Sequence, residues 1–488
     1  MITHGDLQLT AAQLYPVTGA SSTLYAGYGL DEGGQAVFDA ERHLAIERSG
    51  ESLPDTPLSV FGSLAFMASN IEQGGVVRAP LGLIQFGSNL DRAPGTVRLL
   101  PGSLTSVSGA ELVMPYGGTT DGINYLVNQV PIQLTGAGGA LAAGTLVAGV
   151  GLYASEVDVQ QGARLDLSGG GELAGAGFIS GRGGSTDARF HPLVQQDNDG
   201  FRLPELSSNP VYAIVPGHQA VSAPLGGEAG AIQPLVGQQV TIGDGVPGLA
   251  AGTYTLLPST YALLPGAFRV EINGLAGQGA PMATQGLRNG SWATSGQLSI
   301  AGTSIRDSLS RQVILSSADT LRRYSQYNEM SYADFIRADA ARKNIPRAML
   351  PVDARSLYLG LRADEELREN ALSFEGKVDF TPEESGYGGS LIVDAEAGIE
   401  ILPEGGLPDS DFAGVSLVAD DLNAIGASRI AIGTLPYVEY GEQGNFVQFG
   451  GSNRLFPVVL RKGAHLSAPE VIIGRDITLE GGSGISTL

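Results

Sequence analysis

The chain has 488 residues, 43% of them hydrophobic, no cysteine, and a formal net charge of -22 from 50 acidic and 28 basic side chains. That charge excludes nucleic acid and anionic membrane surfaces as principal partners, because phosphate recognition needs a basic footprint. The missing thiols exclude disulfides, thiol redox chemistry and thiolate metal sites. Together, 71 glycines and 26 prolines make up about a fifth of the chain, against roughly 12% in average proteins, and only 16% of residues are charged. This is a composition for many corners and few helical surfaces. A cysteine-free chain also suits export through an oxidising compartment, where disulfides would trap an unfolded chain.

In chain order, the first residues, MITHGDLQLT, are polar and carry no signal peptide. Gly5-Asp-Leu7-Gln-Leu9-Thr-Ala11 opens a frame, Gly-x-Leu-x-apolar-x-Ala, that recurs at Gly62–Ala68 and Gly389–Ala395. Gly296–Gly302 keeps it with a small last residue. The stretch Leu58–Ser88 is the densest: Leu58 and Val60, Leu64 and Phe66, Ile71, Val76 and Val77, and Leu83, Ile84 and Phe86 are separated by small or turn-forming residues. These runs are too short for helices, and several alternate with period two. They predict strands of about three to five residues, turned at glycine, asparagine or serine and stacked coil on coil.

Val97–Leu104 continues the pattern, Tyr116–Gln129 is a turn-rich excursion, and Val130–Gly171 is coil-like again. The longest apolar run, Leu141–Tyr153, is too short and too glycine-rich to cross about 30 Å of hydrocarbon. Residues 172–237 lose the rhythm and read as large loops. Residues 238–275 recover it, with Tyr254-Thr-Leu-Leu-Pro258 echoed by Tyr261-Ala-Leu-Leu-Pro265. Residues 311–359 contain no glycine and predict helices, one over Ala318–Tyr327 and one from the cap Ser331 to about Asn344. Met330 and Phe335 are placed as a hydrophobic staple, and Pro346 marks the stop. From Leu357 the alternation resumes through Leu372–Phe374, Val378–Phe380, Ser416–Val418, Ile430–Ile432, Val458–Leu460 and Leu466–Leu479. The expected organisation is all-β: coils over 1–310 with large loops near 172–237, a helical excursion over 311–356, and coils again over 357–488.

Chemistry is sparse. His4, His43, His191, His218 and His465 lack metal-ligand spacing, and no nucleophile elbow, metalloprotease or P-loop motif occurs. Asp197-Asn-Asp199-Gly200 is the best calcium candidate. Its EF-hand alignment puts Gln195 at the first ligand and Leu206 where a bidentate glutamate is needed, so a loop turn is the simpler reading. Glu383-Glu384 and Asp364-Glu365-Glu366 are acidic clusters of the kind a glycosidase uses, or solvated turns. Gly169–Gly184 is glycine-rich without a phosphate-binding lysine. Trp292 is either a sugar platform or a packing anchor. No catalytic, cofactor-binding or metal residue is assigned, and the chain is not expected to be an enzyme.

Gly5–Pro16 (GDLQLTAAQLYP), Gln73–Gly82 (QGGVVRAPLG), Val97–Gly109 (VRLLPGSLTSVSG), Leu165–Gly171 (LDLSGGG), Gly248–Val270 (GLAAGTYTLLPSTYALLPGAFRV) and Tyr327–Phe335 (YNEMSYADF) resemble the large filamentous haemagglutinin family exoproteins of Gram-negative bacteria. The resemblance spans most of the chain. It implies a right-handed parallel β-helix (a β-solenoid), two-partner secretion through an outer-membrane transporter engaged by other parts of a longer parent, and a secreted or cell-surface adhesin. The chain is then an internal or C-terminal-side segment, since the family's signal peptide and secretion domain are not in it. Expected partners are a host or bacterial cell-surface glycan or protein, with no nucleic acid, and the chain does not span a membrane. The alternatives are a β-helix polysaccharide-degrading enzyme, which needs carboxylates and a basic or aromatic partner gathered on one face, and an inert fragment.

Overall fold

The computed structural model describes all residues except 31, 35, 88–94, 132–147, 182–185, 194, 198–199, 203–208, 219–230, 274–282, 345–346, 364–370, 396, 442–443, 451–455 and 488. It is an all-β protein with few, short helices. Two compact units divide it: Met1–Leu112, Gln133–Gly171 and Ala348–Leu488 form the first, and Val113–Ile132 and Glu172–Arg347 the second. No described helix is long and apolar enough to cross a membrane.

The first unit is built mainly from parallel sheets, with antiparallel hairpins pairing Tyr28–Leu30 with Ala36–Phe38 and Leu435–Gly441 with Gly444–Gly450. Strands Ser63–Met67, Asn70–Gln73 and Val76–Arg78 contribute to a first, second and third sheet in turn. Leu83–Phe86, Thr96–Leu99 and Leu104–Ser106 repeat the round. So do Gly149–Ala154, Glu156–Val159 and Arg164–Asp166, and then Ser356–Leu361, Leu372–Phe374 and Lys377–Asp379. Each strand pairs in parallel with its counterpart in the next round. In the second sheet Leu44 faces Ile71 and Ile71 faces Val97, steps of 27 and 26 residues. Alternation sets the burial. Leu64, Ile84, Val150, Leu357, Leu391 and Ile430 form one register row, and Phe66, Phe86, Leu152, Leu359, Val393 and Ile432 the next. Both rows are almost wholly buried in one continuous apolar core shared by the sheets.

Polar side chains enter the core rows too, Thr105 between Val77 and Leu165 and Gln73 in the second sheet. Gln73 is fully buried beside Ile46 and Leu99. Its Nε2 lies 3.1 Å from Gly75 O and 3.2 Å from Leu104 O, and its Oε1 accepts Gly75 N–H at 2.8 Å. Satisfaction of this kind is the condition for burying an amide.

The second unit follows other rules. Residues 238–275 and the Gly296–Gly302 frame do not resume parallel coils; their strands run antiparallel. Gln238–Ile242 pairs with Gly252–Thr255 on one side and Trp292–Ile300 on the other. Trp292–Ile300 pairs with Arg311–Ser317, which pairs with Phe268–Ile272, which pairs with Val211–Ile214. Val211–Ile214 then meets Leu257–Pro258. Only Leu256 separates Leu257–Pro258 from Gly252–Thr255, and its N–H donates to Gln238 O at 2.9 Å. The sheet therefore closes on itself as a barrel, with the two-residue strand Gln285–Gly286 paired off the ring with Trp292 and Ala293. Val240, Ile242, Tyr254, Leu256, Phe268, Val270, Ile272, Val313 and Leu315 fill it. Period-two alternation is common to both kinds of strand, which is why the sequence reads as one continuous pattern.

The heptapeptide echo splits for a physical reason. Leu257–Pro258 ends the first copy as a strand, and the second enters the 3-10 helix Ser259–Leu263, whose residues are all buried. The glycine-free block 311–356 likewise starts as the strand Arg311–Ser317. Helices then cover Ala318–Tyr324 and Tyr332–Lys343. Ser331 caps the latter by accepting Asp334 N–H at 3.0 Å, and Asn344 ends it with a left-handed φ of 53°. The first helix stops short of Tyr327 because Gln326–Glu329 pairs antiparallel with Ala176–Ile179.

Candidate functional site

The third sheet ends three of these four rounds in a recurring corner. Ser106-Val-Ser108, Asp166-Leu-Ser168 and Asp379-Phe-Thr381 stand in register. In each, the first side chain accepts the backbone N–H two residues on, at 3.3, 3.2 and 2.9 Å respectively. The middle residues, Val107, Leu167 and Phe380, point into the core. Asp166 also accepts the hydroxyls of Ser106 at 2.9 Å and Ser168 at 2.7 Å. Its carboxylate is thus occupied by the turn it shapes. Just after the second corner, Gly169 admits a close crossing, since a Cβ there would lie 2.0 Å from Val352 O.

A second constellation gathers acids from separate rounds. Arg461 donates through Nε to Glu400 Oε2 at 2.7 Å, through Nη1 to Glu480 Oε1 at 2.9 Å and through Nη2 to Asp409 Oδ2 at 2.8 Å. The Phe412 ring lies 5.4 Å from its guanidinium carbon. Glu400 is fully buried and also accepts the Ser416 hydroxyl at 2.6 Å. Burial works against the charge on Arg461, but the hydrogen bonds to Glu480 and Glu400 outweigh it and raise its pKa. The Arg461 hydrogen bond, with the Lys462 N–H, holds the Glu480 carboxyl below its usual range. Glycoside hydrolysis needs one protonated and one ionised carboxyl. Here one guanidinium bridges all three carboxylates, so the cluster acts as a clamp between the segments that carry them.

Asp421 behaves oppositely. It lies in the first turn of the helix Ala419–Ala424. Desolvation, then the charges of Asp420 and Glu375, raise its pKa.

On the barrel's outer wall, Gln239, Thr253 and Ser299 from three adjacent strands line a groove of about 510 Å³ with the turn Ile300–Arg306. Alternation places them: Val240 and Leu298 are register partners packed on the core, so Gln239 and Ser299 beside them face outward. Thr253 Oγ1 lies 2.8 Å from Thr241 Oγ1. Arg306 is the only charged residue in the lining, and no carboxylate belongs to it. Among the described residues, the side chains of Gln239, Ser299, Ser304 and Arg306 make no hydrogen bond or ion pair.

The residues singled out in the sequence are not brought together here. His4, His43 and His465 are exposed and His191 and His218 half-buried, at scattered places in the chain. Among the described residues no group of three or more His, Cys, Asp or Glu is arranged to hold a metal ion. Asn198 and Asp199 of the calcium candidate and the acidic cluster at 364–366 lie outside the described residues. Glu383 and Glu384 are exposed in a turn, where Gly386 N–H donates to Glu383 O. Trp292 packs against the barrel core as an anchor. The groove carries no motif; its sequence signal is the polar half of two alternating strands next to a Gly-Thr-Ser turn. No family model, curated protein or solved structure matches the chain.

Proposed function

We propose that the chain is a structural and interaction protein, in which a right-handed parallel β-helix carries an inserted antiparallel unit that makes cell or host-surface contacts. Across the four rounds from Ser63 to Asp379 the strands visit three sheets in one order and keep register, which supports the β-helix reading, and the crossover rule for parallel strands favours its right hand. The resemblance to filamentous haemagglutinin exoproteins supports a secreted or cell-surface setting and an adhesive role. Catalysis is not part of this reading.

The observation that carries the proposal is the register across the insertion. Gly149–Ala154 pairs residue for residue with Ser356–Leu361, although the chain leaves for the second unit between them. The point of departure and the point of return are adjacent: Gly170 N–H donates to Pro351 O at 2.7 Å. A framework that keeps this register across such an excursion is suited to displaying it, and loops off rigid scaffolds are where binding residues concentrate.

The test is a deletion of residues 172–347 that joins Gly171 to Ala348. The expected product remains β-rich and unfolds cooperatively, and it no longer adheres to cells that bind the parent chain. Val113–Ile132 stays in this product, so undiminished adhesion would remove residues 172–347 from the contact role.

A further inference from the structure

We propose that the groove on the barrel's outer wall binds the carboxylate-bearing end of a saccharide, with Arg306 taking the carboxylate and Gln239, Ser299 and Ser304 the sugar hydroxyls. This deepens the reading of the inserted unit as the contact module and rests on it.

Size comes first. About 510 Å³ falls within the roughly 300–1,000 Å³ of small-ligand sites. Charge comes next. In a chain of net charge -22, this lining holds one arginine and no acid. A guanidinium offers a planar fork that matches a carboxylate. One cation in an acidic protein suits a single carboxylate, while a polyanionic glycan would be repelled by the rest of the chain.

The uncharged lining narrows the class further. Ser299 and Ser304 offer hydroxyls that both donate and accept, and Gln239 offers an amide that does the same. Ile300 and Ile305, the latter 64% exposed, give an aliphatic flank for the C–H face of a ring. An extended peptide is the competing occupant, and its usual mode is to add a strand to a sheet edge. The lining instead offers side-chain hydroxyls, an amide and a guanidinium, groups that suit a hydroxylated acidic ligand rather than backbone pairing.

The experiment is calorimetric titration of the full chain with sialyllactose, a glucuronic-acid disaccharide, lactose and sodium acetate. Saturable binding of either acidic saccharide, at least about tenfold tighter than lactose or acetate, is expected. Arg306→Gln should weaken it by about tenfold or more, the loss of one charge-assisted pair, with an unchanged melting curve because Arg306 is exposed. Failure of both acidic saccharides, equal binding by acetate, or an undiminished Arg306→Gln variant each overturns the proposal. Cell adhesion separates this from the wider reading. If Arg306→Gln adheres like the parent while the 172–347 deletion does not, the groove assignment fails and the contact module stands.

Discussion

Phe66 lies flat on Phe86, with ring centroids 5.2 Å apart and planes 14° from parallel. The two are register partners on neighbouring strands of the first sheet, and both are fully buried. A parallel in-register stack places like on like, so each round presents the next with a complementary surface. Truncation of one ring leaves a void that its partner cannot fill. Phe86→Ala is expected to destabilise by about 3–5 kcal/mol, read as a lower denaturant midpoint at unchanged slope. Leu64→Asp or Ile84→Asp, one row along, should cost several kcal/mol by burying an unpaired charge. Either aspartate variant melting with the parent would show that the row does not face the core.

Arg461→Ala strips the partner from three carboxylates at once. Glu400 is the costly one, because it is buried and its remaining donors are Ser416 and the Asp409 N–H. A loss of about 3–5 kcal/mol is expected. The double variant Arg461→Ala with Glu400→Gln should recover part of it. If the double variant is no better than the single one, Glu400 is not the charge that matters.

Asp421 predicts a pH dependence. Its folded pKa lies above its unfolded value, so between the two the native state holds more protons and stability falls as pH rises. Asp421→Asn should therefore raise the melting temperature at pH 7. The gain should vanish once the pH drops below the ordinary carboxylate range, where both proteins are neutral at this position. A gain that persists in acid would assign the effect to packing instead.

Leu256 is the seam of the barrel. Proline there removes the N–H that reaches Gln238 O and the apolar side chain from the core. The chain has a single tryptophan, Trp292, packed against that core, so its emission reports on the barrel. Leu256→Pro is expected to shift the emission to the red at temperatures where the parent is folded. An unshifted spectrum would mean that the barrel survives without its closing strand.

The sequence is most legible where one feature admits one structure. Ser331 with Asp334, followed by a glycine-free stretch and Asn344, has few outcomes besides a capped helix, and it forms at Tyr332–Lys343. The alternation of Leu64 and Phe66 likewise has one buried side in any sheet. The direction of the neighbouring strand is not in that pattern, which is why Val240 and Ile242 read like Leu64 and Phe66 yet lie in an antiparallel barrel. Corners such as Asp166-Leu-Ser168 are visible only once three of them are seen in register, since their spacing along the chain is broken by the second unit. The Arg461 clamp joins positions 400, 409, 461 and 480, and no local signal connects them.

The adjacency of Gly170 and Pro351 has a consequence for how such chains change over time. The entropy of closing a flexible loop grows only with the logarithm of its length, about 0.6 kcal/mol for each doubling. A segment that starts and finishes at the same corner can therefore lengthen, shrink or be exchanged for an unrelated folded segment at almost no cost to the rounds on either side of it in the chain. What the framework selects is the distance between a graft's two ends, not what lies between them.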